Sequence, residues 1–283
     1  MRAILNLFKL RIGVAIAVAA AAGLVVEGGA RPGLLQSLVL VFAVLVASAA
    51  AGAFNQYVER DLDRSMARTR GRPFVTGALK HGPAWLWLIG AMTAAAVMAA
   101  WLATNFIAGM HVFLGAFTYG VVYTVWLKRR TWWNIVVGGL AGSFAVLAGA
   151  AAVSPTPGPE ALALAVVLFL WTPPHFWSLA IACLDDYAAA GVPMLPVVVG
   201  NARASRAILA GAALLVAASL VPAAFGLGRL YLAAALAGGV FFLLKCFALA
   251  RRPGRETARA AFLASLAQLG AVLAGAMADV AVG

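Results

Sequence analysis

Clustered carboxylates are the residues of this chain whose chemistry is most telling. The sequence holds only nine Asp and Glu residues, and five of them fall in two short strings, NQYVERDLD at 55–63 and CLDDY at 183–187. The first string carries Glu59, Asp61 and Asp63, and the second carries Asp185 and Asp186. Carboxylate oxygens suit Mg²⁺, which commonly shares its coordination with substrate phosphates. The two strings therefore predict a metal site for a phosphate compound.

The spacing within the first string places three oxygen ligands on one side of a helix. Asn55, Glu59 and Asp63 are four residues apart, which at about 3.6 residues per turn keeps them on one slowly drifting face. The alternative is that Glu59 and Asp63 form surface ion pairs with Arg60 and Arg64, each worth about 0–1 kcal/mol. We favour the metal interpretation.

Cationic side chains accompany the acids. Arg68 and Arg72 follow the first string in MARTRGRP, and Lys128 and Arg129 begin the basic trio KRR. A guanidinium group matches phosphate oxygens bidentately. These four residues are predicted to hold a diphosphate beside the metal, although the KRR trio is equally well explained as an orientation signal in a membrane protein.

Hydrophobic composition indicates what positions these side chains. The chain is 64% apolar, against roughly 45–50% in soluble domains, and about 20 apolar residues cross a bilayer as a helix. We predict an all-α, polytopic membrane protein in which residues 1–283 form one membrane domain. Its nine spans are predicted at residues 12–30, 34–54, 84–103, 106–127, 134–153, 161–184, 207–225, 230–250 and 260–278. Within the fifth span, Gly138, Gly139, Gly142 and Gly149 form a small-residue face suited to close helix packing.

Loop charge predicts the orientation of these spans. Cytoplasmic loops collect Lys and Arg, and a cytoplasmic N-terminus leaves only Arg31 and Arg229 in outer loops out of 21 basic residues. Four predicted spans separate the two acidic strings, so both strings face the cytoplasm, in the long polar connections 57–83 and 185–206. The net charge of +12 then follows from topology, and no nucleic-acid partner is expected.

Three strings carry a family resemblance. NQYVERDLD with MARTRGRPFVTGAL, YTVWLKRRTWWNIVVGGLAG, and WTPPHFWSLAIACLDDYAAAGVPMLPVVVG closely resemble the haem O synthase (protohaem IX farnesyltransferase) family, within the UbiA-type intramembrane prenyltransferases. The resemblance implies nine helices around a central cavity, closed on the cytoplasmic side by helical metal-binding loops. It also implies transfer of a farnesyl group from farnesyl diphosphate to a vinyl group of haem b, giving haem O, with Mg²⁺ as cofactor.

The match to the family's acidic patterns is incomplete. Asn55, Glu59 and Asp63 fit the first pattern, NxxxDxxxD, with Glu in place of the middle Asp. The second pattern, DxxxD, is reduced to Asp185 and Asp186. The resemblance implies that these five residues are catalytic and that Asn55, Glu59, Asp63 and Asp186 bind the metal.

His175 lies within the sixth span, after two prolines and near Trp171 and Trp177. It is a candidate ligand of haem iron, but we favour a hydrogen bond to a carbonyl group freed by the prolines.

Several functions remain open on the sequence alone. The same chemistry with another acceptor, such as an aromatic quinone precursor, is the nearest alternative. A transporter and a haem-binding assembly factor without catalysis are the others. The expected partners are haem b and farnesyl diphosphate as substrates, the lipid bilayer, and haem A synthase or an oxidase assembly protein. The expected location is the inner (plasma) membrane.

Overall fold

The computed structural model describes residues 2–283, which form helices and no strands. A short helix, Arg2–Leu7, precedes nine long ones. These are α1 (Leu10–Val26), α2 (Leu34–Val58), α3 (Ala84–Ala103), α4 (Phe106–Leu127), α5 (Asn134–Val153), α6 (Pro159–Ala182), α7 (Asn201–Ala218), α8 (Arg229–Arg251) and α9 (Arg255–Val282). Shorter helices lie in the connections at Arg60–Arg64, Pro73–Thr76, Leu184–Ala189, Leu195–Val199 and, as a 3₁₀ turn, Val221–Phe225.

The long helices have the dimensions of membrane spans. Eight of them, in residues 2–283, are long and apolar enough to cross a bilayer, counting α7 with its 3₁₀ extension. The ninth, α1, has 17 residues, at the lower limit of the usual range of about 17–25. Large apolar side chains cover the outside, among them Trp87 (82% exposed) and Leu102 (76% exposed). The prediction of an all-α, multi-pass membrane protein is confirmed.

Helix ends differ from the predicted ones where polar residues continue a helix. The second helix runs to Val58 rather than residue 54, because Asn55 and Gln56 are buried within it. The seventh begins at Asn201 rather than residue 207 and ends at Ala218. There Pro222 lies at the start of the 3₁₀ turn, as expected for a residue that lacks an N–H donor.

Glycine allows α1 and α5 to touch through their backbones. A Cβ atom on Gly149 would overlap the carbonyl oxygen of Ala20, and one on Gly23 would overlap that of Val146. Gly138 packs against the ring of Tyr123, 3.0 Å from where its Cβ would stand. The predicted role of the fifth-span glycines in close packing is confirmed at these positions.

Candidate active site

The first acidic string lies at the end of α2, where the chain turns into the short helix Arg60–Arg64. Backbone hydrogen bonds continue across this junction, from Glu59 N to Asn55 O (3.0 Å) and from Asp63 N to Glu59 O (2.8 Å). Helical spacing is therefore kept, and Asn55, Glu59 and Asp63 are each at most 2% exposed. The structure brings the three predicted ligands to one buried face, whereas Asp61 points outward, with 83% of its side chain exposed.

Both buried carboxylates are paired with cations from other parts of the chain. The Lys128 amine lies 2.6 Å from Glu59 Oε2 and 2.5 Å from Oε1. Arg72 donates through Nη1 to both oxygens of Asp63, at 2.8 and 2.7 Å, and lies 4.0 Å from Glu59 Oε2. Burying charges without such partners would be strongly unfavourable. Two predicted diphosphate-binding residues thus hold the two predicted metal-binding carboxylates.

The alternative of local surface ion pairs is wrong for these acids. In the described chain, Arg64 pairs with the exposed Asp61 at 3.6 Å, and neither Arg60 nor Arg64 pairs with Glu59 or Asp63. Glu59 and Asp63 face inward, which places them out of reach of arginines on the outer side of the same turn.

A third cation reaches the site from the N-terminal segment, and the sequence reasoning missed it. The Lys9 amine donates to Asn55 Oδ1 (2.6 Å) and to the Tyr119 hydroxyl (3.1 Å), while Asn55 Nδ2 donates to Thr124 Oγ1 (3.1 Å). A lysine just before the first span is the only sequence signal. That signal is indistinguishable from an orientation charge.

Residues Thr118–Leu127 of α4 form a π-helix, which shapes this side of the site. Its i→i+5 bonding is shown by the Lys128 N–H, which donates to the Tyr123 carbonyl at 2.9 Å. Such segments are rare and frequently occur at functional sites. Here the π-helix supplies Tyr119 and Thr124 to the contacts around Asn55, and it ends beside Lys128.

The second acidic string contacts the first loop through backbone groups. The Asp186 carboxylate accepts the N–H groups of Ala67 (2.9 Å) and Arg68 (3.3 Å), and Arg68 Nη2 lies 3.4 Å from the Tyr187 hydroxyl. Asp185 is exposed. The structure therefore brings the two loops together, as predicted, with Asp186 bound to amides rather than adjoining Glu59 or Asp63. Arg129 is exposed beside Lys128.

His175 lies apart from the acids, inside α6. It is 5% exposed and stacks between Trp171 and Phe262, with ring centroids 4.0 and 4.5 Å away. Its Nδ1 lies 2.6 Å from the Ser265 hydroxyl. The favoured expectation of a bond to a carbonyl freed by proline is wrong, because the hydrogen bond that the His175 ring makes is to the Ser265 hydroxyl.

Burial perturbs the charged groups at the end of the bundle. Desolvation, aided by the nearby Arg72 charge, lowers the pKa of Lys9 to about 7. Burial also lowers the pKa of Lys128, although Glu59 opposes this, and it raises the pKa of Asp63 against the attraction of Arg72. Burial therefore disfavours the charged forms of these three side chains. A bound ion of opposite charge would favour the charged form of the group that it contacts.

The donor set of the first string fits a hard divalent cation. Asn55, Glu59 and Asp63 offer one amide and two carboxylate oxygens on one buried face, and Mg²⁺ takes such ligands while sharing phosphate oxygens. As arranged, the described residues contain no group of three His, Cys, Asp or Glu side chains that could hold a metal. The fit therefore depends on Asn55 as the third ligand and on release of the carboxylates by Lys128 and Arg72.

Comparison with known proteins shows the family of the chain. The model of the UbiA prenyltransferase family matches residues 15–269. A protein of Paramagnetospirillum magneticum named protoheme IX farnesyltransferase 2 is 58% identical over 279 residues, covering 99% of this chain and 97% of that protein.

Solved structures share the fold. A digeranylgeranylglyceryl phosphate synthase structure superposes with a TM-score of 0.78 at 18% identity, covering 98% of both chains. A UbiA homologue of Archaeoglobus fulgidus, bound to DMAPP and Mg²⁺, gives a TM-score of 0.75 at 18% identity, covering 99% of both chains. The chain therefore belongs to the UbiA prenyltransferase family and is a membrane-embedded prenyltransferase.

Proposed function

We propose that this prenyltransferase moves the farnesyl group of farnesyl diphosphate onto a vinyl group of haem b, forming haem O. The observation that carries the proposal is the buried cluster in which Lys128 and Arg72 neutralise Glu59 and Asp63 beside Asn55. Such a cluster suits a metal-bound diphosphate, because it offers oxygen ligands to the cation and cationic groups to the phosphates. The choice of haem as acceptor is supported by the 58% identity to a protein named protoheme IX farnesyltransferase 2.

Mg²⁺ is the proposed cofactor, as in the A. fulgidus homologue bound to DMAPP and Mg²⁺. Asn55, Glu59 and Asp63 would hold it. Asp186, the remaining predicted ligand, would join only by leaving the amides of Ala67 and Arg68. When bound, Mg²⁺ supplies positive charge to the diphosphate and so makes it a better leaving group.

The cations of the site would exchange partners when substrate binds. Lys128 and Arg72 would turn from Glu59 and Asp63 to phosphate oxygens, which would free the two carboxylates to hold the metal. Preorganised cations of this kind stabilise charge that develops on a leaving group. Arg68, which follows the first acidic string, and the exposed Arg129, which follows Lys128, would contact the outer phosphate.

Transfer then follows from charge separation in a water-poor site. Cleavage of the carbon–oxygen bond places positive charge on the allylic farnesyl group, and the vinyl carbon of haem b supplies the electron pair for the new carbon–carbon bond. Water adds to the resulting cation and loses a proton, which completes the hydroxyethyl side chain. Burial of the cluster protects the allylic cation from early attack by water.

His175 is the proposed contact to haem. Ser265 holds Nδ1 at 2.6 Å, an arrangement that fixes the ring and leaves Nε2 as the nitrogen available to iron. We further propose a cytoplasmic N-terminus, a location in the inner membrane, and haem A synthase or an oxidase assembly protein as the partner that receives the product.

The acceptor is tested by product mass. The purified chain in detergent would be incubated with farnesyl diphosphate, Mg²⁺ and either haem b or 4-hydroxybenzoate, with parallel samples containing a chelator. We expect haem b to gain the mass of a farnesyl group plus one hydroxyl group, only when Mg²⁺ is present. Farnesylation of the aromatic acid with none of haem b would overturn the acceptor assignment. Full activity under the chelator would overturn the Mg²⁺ dependence.

A further inference from the structure

The N-terminal segment holds a lysine in an unusual backbone conformation. Among residues 2–283, Lys9 is the only non-glycine residue with positive φ, at φ 47° and ψ 43°, between the short helix Arg2–Leu7 and α1. Such a left-handed conformation is disfavoured for residues with a side chain, and it persists where the surroundings impose it, often at functional sites.

Packing against α2 imposes this conformation. Gln56 is 2% exposed and donates through Nε2 to the carbonyl oxygens of Asn6 (2.7 Å) and Leu7 (3.0 Å). Leu7 is fully buried in a cluster with Ala50, Ala53, Phe74 and Ile89. The last turn of this segment is therefore held by the two hydrogen bonds from Gln56 and by the packing of Leu7.

The stem of Lys9 runs along a gap on α2. Gly52 has no side chain there, and a Cβ at this position would stand 3.4–3.6 Å from the Cδ, Cβ and Cγ atoms of Lys9. The stem lies against the helix, and the amine reaches Asn55, one turn further along. The backbone turn thus directs Lys9 into the site.

The Lys9 amine has neutral partners only. Within residues 2–283 it forms no ion pair with a carboxylate within 4.0 Å, and it bonds to the Asn55 amide oxygen and the Tyr119 hydroxyl. By contrast, Lys128 and Arg72 each hold a carboxylate. The cluster thus has three basic side chains against two carboxylates, and Lys9 is the one that holds no carboxylate.

We propose, on the basis of the proposed function, that Lys9 is a diphosphate-binding residue. In the free protein its amine rests on Asn55, and when the metal–diphosphate arrives the amine moves to a phosphate oxygen and leaves the Asn55 oxygen to the metal. The N-terminal segment is in this way part of the substrate site, rather than only a leader to the first membrane helix.

Two substitutions at this position separate charge from anchoring. Lys9→Gln removes the charge but keeps a hydrogen-bonding end of similar reach, whereas Lys9→Met removes both. Lys80→Met is the control, because Lys80 is exposed in the connection between α2 and α3 and lies outside the cluster. Inorganic pyrophosphate with Mg²⁺ and Mg²⁺ alone are the probes, measured by calorimetry on the full chain in detergent, with thermal unfolding of each variant recorded alongside.

Both Lys9 variants are expected to bind Mg²⁺-pyrophosphate about 10- to 100-fold more weakly, the usual effect of losing one charged hydrogen bond. Mg²⁺ alone is expected to bind both variants at least as tightly as the unchanged chain, because each removes a positive charge that rests on the Asn55 oxygen. The KM for farnesyl diphosphate should rise, while the KM for haem b stays unchanged. Lys80→Met should match the unchanged chain in every measurement.

Three outcomes would overturn the inference. One is pyrophosphate binding by Lys9→Gln within threefold of the unchanged chain, which would assign Lys9 an anchoring role. Another is weaker binding of Mg²⁺ alone, which would show that Lys9 only supports the shape of the site. The last is failure of the unchanged chain itself to bind Mg²⁺-pyrophosphate, which alone among the three also removes the proposed function. If Lys9→Met does not fold, Lys9→Gln decides.

Discussion

Replacing Asp63 by Asn tests whether one carboxylate serves both the fold and the reaction. Asn has nearly the same shape, so the substitution removes the charge and leaves the packing. Asp63 is 1% exposed, and both of its oxygens lie within 2.8 Å of Arg72 Nη1. The guanidinium group of Arg72 would stay largely buried, with 20% of its side chain exposed, but without its acidic partner.

The size of the effect follows from that geometry. Hydrogen bonds to charged groups contribute about 1.5–3 kcal/mol, and the partial exposure of Arg72 places this pair near the lower end, at about 2 kcal/mol. A change of that size lowers Tm by roughly 3 °C in a chain of 283 residues. Turnover should fall by at least about 100-fold, the usual loss when one preorganised electrostatic group is removed.

A double substitution separates the two roles. In Asp63→Asn with Arg72→Gln, neither partner is left as an unpaired charge, so Tm should return close to that of the unchanged chain. Turnover should stay lost, because the metal ligand and the phosphate contact are both absent. Tm would be measured by thermal unfolding in detergent, and turnover by the mass of the prenylated product.

Asp61→Asn is the matched control, since Asp61 lies two residues away with 83% of its side chain exposed. It should change neither Tm nor turnover. Equal turnover in the Asp63 and Asp61 variants would refute the assignment of Asp63 to the site. Recovery of turnover in the double variant would show that the carboxylate serves only to neutralise Arg72.

Two further predictions concern the fold. Gly149→Ala would bring a Cβ onto the carbonyl oxygen of Ala20 and should lower stability by about 1–3 kcal/mol or more, whereas Gly90→Ala, with open space around it, should not destabilise; equal Tm values would contradict the close helix contact. Glu27, 5% exposed and bound to the Gly158 N–H through both oxygens, has its pKa raised above 4.5 by burial. The folded chain then keeps this proton to higher pH than the unfolded chain, so stability falls as pH rises from 4.5 through the raised pKa. Glu27→Gln should flatten Tm against pH over that interval, and an unchanged slope would contradict this.

The membrane fold could be predicted because each span is a long run of apolar residues in the sequence. Hydropathy placed the end of the second span at residue 54, whereas Asn55 and Gln56 continue the helix in a buried setting. Their polar groups are satisfied by Lys9, Thr124 and the backbone of the N-terminal segment. Those partners come from distant parts of the chain, which no local pattern reveals.

The sequence predicted which residue types would lie in the candidate site, but it did not predict which side chain would pair with which. Residue type and spacing selected Glu59 and Asp63 as buried carboxylates, and the arginine and lysine strings supplied cations. The partner of Glu59 lies 69 residues away, at Lys128. The position of that lysine depends on a π-helix, and sequence periodicity gave no sign of one.

The contacts of Lys9 could not be predicted from the sequence either. Its charge had already been explained by membrane orientation, so nothing in the sequence called for a second role. Asp186 was selected as a metal ligand from its acidic neighbour and its position, yet its oxygens accept the amides of Ala67 and Arg68. Backbone donors carry no residue-type signal, so this contact could not be predicted.

The backbone contact between α1 and α5 helps to set the relative position of two amines that lie far apart in the sequence, those of Lys9 and Lys128. Lys9 immediately precedes α1, and α5 begins at Asn134, whose amide donates to the carbonyl of Lys128 at 3.3 Å. The two helices meet without intervening side chains at Gly23 and Gly149, so their separation depends on the absence of a Cβ atom there. Both glycines lie near the helix ends remote from Lys9 and Lys128, and a larger residue at either position is therefore expected to shift the two amines relative to each other.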